Sequence, residues 1–137
     1  MSEKVLLVVI DFWKQHGWPI QDIADELNAL VVSCGGEVVD IVLCKDLDPN
    51  PAFLIGEGKV KEVTELCLSK DVDTVIFSED LKGSQQRNLE EAFETKVIDR
   101  TQLILDIFAK RATSQEGKMQ VELAQHAYLL PRLTGKG

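Results

Sequence analysis

The sequence predicts an α/β fold, in which a small four-stranded parallel sheet flanked by helices is followed by a C-terminal antiparallel α-helical hairpin. Short apolar runs such as Lys4–Ile10 lack polar alternation, which is typical of strands buried on both faces of a parallel sheet. These runs alternate with amphipathic segments of helical period, and this alternation favours right-handed β-α-β crossovers. Two consecutive helical patterns then occupy residues 98–137 with a short connection between them, which favours an antiparallel pair.

The elements before the hairpin are predicted in chain order from their start and stop signals. The first strand is followed by a helix that begins after Pro19 and ends before Gly35-Gly36, because proline fits a first helical turn and glycine fits the left-handed cap. We expect the strands of the sheet to lie in the order 2-1-3-4. The remaining predicted elements are a strand at Val38–Cys44, a helix at Gly58–Ser69, a strand at Asp73–Ser78, a helix at Gln85–Glu94 and a strand at Lys96–Ile98.

Capping residues and periodicity predict the two helices of the hairpin. Asp99 precedes the first helix with Gln102 three residues later, which is the spacing of a capping box. Thr113 and Glu116 repeat that spacing before the second helix. Pro131 is expected to kink or end the second helix. This second helix carries one apolar stripe, formed by Met119, Leu123, Ala127 and Leu130.

Three motifs resemble one protein family and occur in that family's order. They are FLIGEGKVKEV, DTVIFSEDLKGSQQRNLEEAF and IDRTQLILDIFAKRATSQEGKMQVELAQHAYLLPRL. Each is similar to the N-terminal region of the HflX family of ribosome-associated GTPases, and the resemblance is strong from about residue 40 onward. It implies an α/β subdomain at 1–98 and a helical hairpin arm at 99–137, with the chain cut before the family's GTPase domain.

The resemblance also implies a function. The chain is expected to be the ribosome-binding module of an HflX-like GTPase, which associates with the large ribosomal subunit and its rRNA and assists ribosome splitting or rescue, in the cytoplasm. Its other expected partner is the protein's own GTPase domain, to which GTP and magnesium would belong. This fragment is expected to have no enzymatic activity and no cofactor of its own, although the family's interaction with ATP through this region leaves ATP binding open.

The charge distribution separates the arm from the rest of the chain. The formal net charge is −8, and residues 98–137 carry six cations against four acids, so the part before residue 98 is strongly acidic. A less acidic arm favours contact with phosphates, while an ordinary solvated surface explains each cation singly. Arg132 and Lys136 are expected at the tip of the arm, beyond Pro131. The candidate rRNA-facing residues are Lys110, Arg111, Lys118, Arg132 and Lys136.

A glycine-rich loop gives a second hypothesis, that of an ATP- or nucleotide-binding α/β domain. Gly56, Gly58 and Lys59 precede a predicted helix, whose N-terminal amides bind anions. The loop is not a P-loop, because Phe53 occupies the first glycine position and Val60 replaces the Ser/Thr. The alternative is that both glycines only serve the turn and the helix entry.

No catalytic or metal-binding constellation is evident in the sequence. The three cysteines, Cys34, Cys44 and Cys67, have no metal-ligand spacing and are expected to be reduced, and His16 and His126 are single. No apolar run reaches the length of a transmembrane helix. Two further possibilities stay open: a regulatory interaction module for the attached GTPase domain, and self-association of the truncated arm through its apolar stripe.

Overall fold

The computed structural model describes residues 2–11, 19–45, 50–112 and 114–133. Residues 131–133 are described by their backbone only. It contains every predicted element close to its predicted bounds. The elements are β1 (Lys4–Ile10), α1 (Ile20–Ser33), β2 (Glu37–Cys44), α2 (Glu57–Ser69), β3 (Thr74–Phe77), α3 (Gly83–Phe93), β4 (Lys96–Asp99), α4 (Arg100–Arg111) and α5 (Gln115–Leu133). None of the helices in these described ranges has the length and apolar character that a membrane span needs.

The four strands form one parallel sheet with the order β2-β1-β3-β4, which confirms the predicted order. The central strand β1 pairs with β2 on one side, where Lys4 lies opposite Glu37, and with β3 on the other, where Val5 lies opposite Thr74. Every residue of β1 after Lys4 is buried. This explains the uninterrupted apolar run, because a strand covered on both faces has no polar side.

The sheet is covered by a layer of helices on each face. Leu6 and Val8 point to the face that packs against α2 and α3. Leu7 and Val9 point to the opposite face, which packs against α1 and α4. The alternation along β1 follows from the two-residue period of a strand, and it divides the core into two clusters.

The hairpin is packed on the sheet and does not protrude as an arm. α4 contributes Leu103 and Ile107 to the core cluster that it shares with α1. α5 then runs back along α4, where Gln125 Nε2 donates a hydrogen bond to Asp106 Oδ1 at 3.2 Å. The antiparallel arrangement is therefore as predicted, but the free, projecting arm is not, because the apolar face of α4 is part of the core.

The chain reverses between the end of α4 and the start of α5, and these two helix ends form the hairpin tip. Arg132, expected at the free end of the arm beyond Pro131, lies in the last turn of α5, and Tyr128, one helical turn earlier, donates its hydroxyl hydrogen bond to Asp99 at the end of β4. The backbone of Arg132 is therefore near the carboxyl end of the sheet. Lys136, which was also expected at the tip, lies outside the described residues. α5 continues through Pro131 to Leu133 and does not end at the proline.

The apolar stripe predicted for α5 is on its exposed side. Met119, Leu123 and Leu130 are 55%, 69% and 61% exposed. The face toward α4 is formed instead by less exposed residues, namely Gly117, Val121, Gln125 and Tyr128. Apolar periodicity predicted the wrong face of α5. The packing of α5 depends on Gly117, which permits close approach, and on Gln125 and Tyr128, whose side chains form hydrogen bonds to α4 and β4.

The cap of α4 is the predicted one, and that of α5 is different. Asp99 Oδ1 accepts a hydrogen bond from the Gln102 backbone amide at 3.0 Å. The reciprocal half of the capping box is not formed, because Gln102 Oε1 is buried without a hydrogen bond among the described residues. Ser114 caps α5 by accepting from the Gly117 amide at 2.9 Å. Thr113, the predicted cap, lies outside the described residues.

Candidate functional site

The tip of the hairpin carries three exposed cations. Lys110 and Arg111 lie in the last turn of α4, where positive charge complements the partial negative charge of a helix C-terminus. Lys118 lies in the first turns of α5 across the short connection. Among the residues that the structure describes, no ion pair engages any of the three. Three of the five predicted rRNA-facing residues therefore lie on the two helix ends that meet at the tip.

A groove of about 390 Å³ lies between the two helices at this tip. Phe108 forms part of its wall and is 55% exposed, whereas Leu103 and Ile107 of the same helix are buried. Arg111 and Gln120 supply polar groups to the same wall. The helical spacing of Phe108 with Ile104 and Ile107 predicts a place on the core face, so the sequence alone does not identify it as a site residue.

Gly117 lies in the first turn of α5 and lines the groove. A Cβ atom added there would lie 2.8 Å from Ser114 Oγ, the oxygen that caps the helix. The absence of a side chain at Gly117 therefore preserves the cap and keeps the groove open. The sequence signal for this cap is Ser114 followed three residues later by a glycine that leaves space for it.

The tip lies toward the amino end of the sheet. A crevice of about 550 Å³ between α1 and α4 is lined both by the starts of strands, such as Glu3 and Lys96, and by Asp106 and Lys110 near the end of α4. Burial raises the pKa of the Asp106 carboxyl, and Lys96 and the hydrogen bond from Gln125 only partly oppose this shift. A carboxyl that is costly to ionise thus sits between the hairpin and the sheet.

The glycine-rich loop lies at the opposite, carboxyl end of the sheet, where α2 begins after the β2 loop. Gly56 is the N-cap of α2 and Gly58 is in its first turn. Neither has a positive φ, and a Cβ atom at either position would have no neighbour within 4 Å. Turn geometry and packing therefore do not require these glycines. Lys59 Nζ lies 3.3 Å from Glu62 Oε1, so its charge is directed along the helix surface.

The loop before α2 is held by side-chain amides of α3. Asn50 Oδ1 accepts from the backbone amides of Ala52 and Phe53, which closes a tight turn. Gln85 Nε2 donates to the Asn50 carbonyl at 3.3 Å, and Asn88 Nδ2 donates to the Ala52 carbonyl at 3.0 Å. These two hydrogen bonds from α3 were not predicted, because polar side chains on a helix are usually expected to face solvent.

A buried carboxylate connects three segments at the carboxyl end of the sheet. Asp99 is 2% exposed, and its Oδ1 caps α4. Its Oδ2 accepts from the Leu81 amide at 2.9 Å and from the Tyr128 hydroxyl. The sequence predicted the cap but not the other two bonds, because they come from residues distant along the chain.

The described residues contain no group of histidines, cysteines and acids that suits a metal ion. Cys34 is half-buried, whereas Cys44 and Cys67 are buried and all three are free thiols. Burial raises the pKa of the Cys67 thiol, which makes it a poor nucleophile. His126 is exposed on α5, and His16 lies outside the described residues. These features provide no catalytic arrangement in the described part of the chain.

Comparison with known proteins adds a family relationship to this geometry. The family model described as "GTP-binding GTPase N-terminal" matches residues 21–109, and the one described as "GTP-binding GTPase Middle Region" matches residues 111–137. The boundary between them falls at the tip of the α4–α5 hairpin. The two matches together leave out only residues 1–20 and residue 110.

Individual relatives are similar over nearly the whole chain. The chain is 50% identical to GTPase HflX of Alkalihalophilus pseudofirmus over 135 residues, which is 98% of this chain and 32% of that protein. It is 42% identical to GTPase HflX of Escherichia coli over 132 residues, covering 96% of this chain and 30% of that protein. It therefore spans about a third of the length of the curated relatives it matches.

The fold has also been observed experimentally in a similar protein. The crystal structure of a GTP-binding protein from the archaeon Sulfolobus solfataricus, in complex with GDP, superimposes with a TM-score of 0.75. The two sequences are 28% identical, and the match covers 98% of this chain and 39% of the archaeal one. The α/β body and its two following helices are thus similar to part of a larger, nucleotide-bound protein.

Proposed function

This chain belongs to the HflX family of GTP-binding GTPases, as their N-terminal region, and on that premise we propose that it is a ribosome-binding module that contacts the large ribosomal subunit through RNA. In the longer protein, the module would assist a GTPase domain in splitting or rescuing ribosomes, in the cytoplasm. That GTPase domain would be its second partner and would hold GTP and magnesium. The module itself would not hydrolyse GTP, because no P-loop pattern occurs in its 137 residues.

The observation that carries the proposal is the concentration of exposed cations at the hairpin tip. Lys110, Arg111 and Lys118 lie there with one acid, Glu116, between them in the sequence, while the whole chain has a net charge of −8. An acidic protein gains affinity for RNA only where cations are clustered, because each neutralised phosphate releases counterions. The tip therefore supplies the local attraction that the rest of the surface opposes.

Co-sedimentation with purified large ribosomal subunits tests this proposal. We expect the chain to sediment with the subunits at low salt and to dissociate progressively toward physiological salt, because phosphate contacts weaken steeply with ionic strength. The triple variant Lys110→Glu, Arg111→Glu, Lys118→Glu should lose binding at both salt concentrations.

A matched triple reversal on the α/β body provides the control for net charge. Lys45, Lys61 and Lys70 are exposed, and within the described part of the chain Lys70 Nζ lies 3.9 Å from Asp40 Oδ2 while no ion pair engages Lys45 or Lys61. Reversing these three to Glu changes the net charge by the same amount and should leave sedimentation close to wild type. Equal losses in both triple variants would show that net charge, and not the tip, determines the interaction.

A second candidate function is nucleotide binding at the start of α2. Neither the backbone φ angle nor packing requires a glycine at position 56 or 58. Glycines at the start of a helix let an anion approach the backbone amides closely, and this supports nucleotide binding. Glu57, in the same first turn, opposes it by occupying the helix N-terminus with a negative charge. Calorimetric titration with ATP decides the question: saturable binding that Gly58→Val and Lys59→Ala abolish would support it, and no heat of binding would exclude it.

A further inference from the structure

We propose that the groove at the hairpin tip receives an unpaired RNA base, which stacks on Phe108 while the neighbouring cations hold the adjoining phosphates. This inference rests on the proposed function and names the ligand of the tip more closely. The ligand is single-stranded RNA, recognised through the face of a base together with its backbone. The argument uses the exposure of one aromatic side chain, the shape of the groove and the charges around it.

Phe108 is exposed to solvent and does not belong to the hydrophobic core of the described residues. It lies in α4 next to Ile107, which is 5% exposed and completes the apolar contact with the sheet, yet Phe108 remains 55% exposed. An aromatic face held open on a helix is the platform on which unstacked bases bind, because every base has a flat face of similar polarity. Because Phe108 lies within α4, its backbone conformation is fixed before any ligand binds.

The groove beside Phe108 has a size and lining that suit a base. Its volume of about 390 Å³ falls within the usual range of small-ligand sites, about 300–1,000 Å³. Gly117 lines it without a side chain. Gln120 contributes an amide that both donates and accepts hydrogen bonds, as the edge of a base requires. Arg111 adds a planar guanidinium that stacks on bases or binds phosphate.

The charge around the groove favours a polyanion over an apolar protein segment. Arg111 lines the groove itself, and Lys110 and Lys118 are exposed on the adjoining turns of α4 and α5. An apolar partner would gain nothing from this concentration of cations, whereas a phosphate backbone running past the groove would be attracted by each of them. Charge complementarity therefore selects nucleic acid as the occupant.

The decisive experiment compares RNA with and without bases. Fluorescence anisotropy would be measured at low salt with a labelled oligouridine decamer and with an abasic decamer that has the same number of phosphates. We expect the 137-residue chain to bind the oligouridine more tightly. Phe108→Ala should weaken oligouridine binding by roughly 5- to 100-fold and leave abasic binding unchanged. Phe108→Trp should retain the preference, because it keeps an aromatic face.

Met119→Ala is the matched control. Met119 is 55% exposed, as Phe108 is, and lies near the start of α5, but it does not line the groove. Met119→Ala should change neither the affinity for the oligouridine decamer nor that for the abasic decamer. The base-binding proposal is overturned if Phe108→Ala binds oligouridine as wild type does, or if both decamers bind equally. It is also overturned if Phe108→Ala abolishes only self-association, since the groove would then receive a protein side chain.

Sedimentation with large ribosomal subunits separates this inference from the proposed function. If the chain binds subunits through the charged tip but shows no preference for bases, the contact is with phosphates alone and the base site fails while the proposed function stands. If neither decamer nor subunits bind at low salt, both fail together. If Phe108→Ala weakens subunit binding and the base preference in parallel, both are supported.

Discussion

The hydroxyl of Tyr128 in α5 donates a hydrogen bond to Oδ2 of Asp99, the last residue of β4. These residues are far apart in the sequence, and their contact fixes the returning helix to the carboxyl end of the sheet. The same oxygen accepts from the Leu81 amide, and the other carboxylate oxygen caps α4. One carboxylate thus determines how the hairpin sits on the α/β body.

Removing the Tyr128 hydroxyl is expected to destabilise the protein. In Tyr128→Phe the bond to Asp99 is lost while the ring stays, so the free energy of unfolding should fall by about 1.5–3 kcal/mol, the usual contribution of a hydrogen bond to a charged group. Urea unfolding measures this value. Leu130→Ala, which truncates an exposed side chain in the same helix, should leave the midpoint nearly unchanged. An unaltered midpoint in Tyr128→Phe would mean that the contact contributes nothing.

Asp106 is expected to make stability decrease with rising pH. Burial raises the pKa of its carboxyl above the ordinary value of 3.8, so the folded state binds more protons than the unfolded state between 3.8 and that raised value. The free energy of unfolding therefore falls as the pH increases through this window. The groups that face the carboxyl are Glu3, Lys96, Lys110 and Gln125.

Asp106→Asn tests this dependence. Asparagine keeps an oxygen that can accept from Gln125 and removes the ionisation, so the variant should be more stable than wild type at neutral pH. Below about pH 3 the wild-type carboxyl is protonated in both states, and the two proteins should have similar stability. Unfolding in urea at several pH values provides the comparison. A wild type more stable than the variant at neutral pH would show that Lys96 outweighs desolvation.

Gln85 is expected to hold the loop before α2. Its side chain is 4% exposed, accepts from the Lys82 amide at 2.9 Å and donates to the Asn50 carbonyl. Gln85→Ala should lower the free energy of unfolding by about 1–3 kcal/mol, because buried polar partners are left unpaired. Limited proteolysis should also cut the loop 50–56 faster. Gln21→Ala, at an exposed glutamine of α1, serves as the control and should change neither readout.

Ser114 and Gly117 are expected to be energetically coupled. Ser114→Ala removes the cap of α5 and should cost about 1 kcal/mol. Gly117→Ala gains about 1 kcal/mol of helix propensity but displaces the cap oxygen, 2.8 Å from the new Cβ, so its net effect should be near zero. With Ser114→Ala already present there is no hydroxyl to displace, and Gly117→Ala should then stabilise. A double-mutant cycle measures this, and strictly additive effects would contradict it.

The sheet was predictable because its signals are local and strong. Runs such as Lys4–Ile10 have a composition typical of a strand covered on both faces, and the alternation with helices restricts the topology to a few right-handed arrangements. The capping role of Asp99 was also predicted, since a cap depends on residues three positions apart. These features required no knowledge of distant contacts.

The packing of the hairpin was not predictable in the same way. Leu123 and Leu130 repeat at helical spacing, yet they are exposed, while Gln125 and Tyr128 face the body because Asp106 and Asp99 are there to accept from them. A pattern of hydrophobicity contains no information about such partners. For the same reason the helical spacing of Phe108 with Ile104 and Ile107 predicts a place on the core face, whereas Phe108 is exposed.

The parallel sheet also determines when the protein can form during its synthesis. β1 is made first and becomes central, but Val5 has no partner on one side until Thr74 has been made. β2 can pair with β1 earlier, which leaves one side of an entirely apolar strand open while the next segments emerge. Such unpaired edges are the sites at which nascent chains associate wrongly. The interval between the completion of β2 and that of β3 is therefore the one in which this edge is open to wrong association.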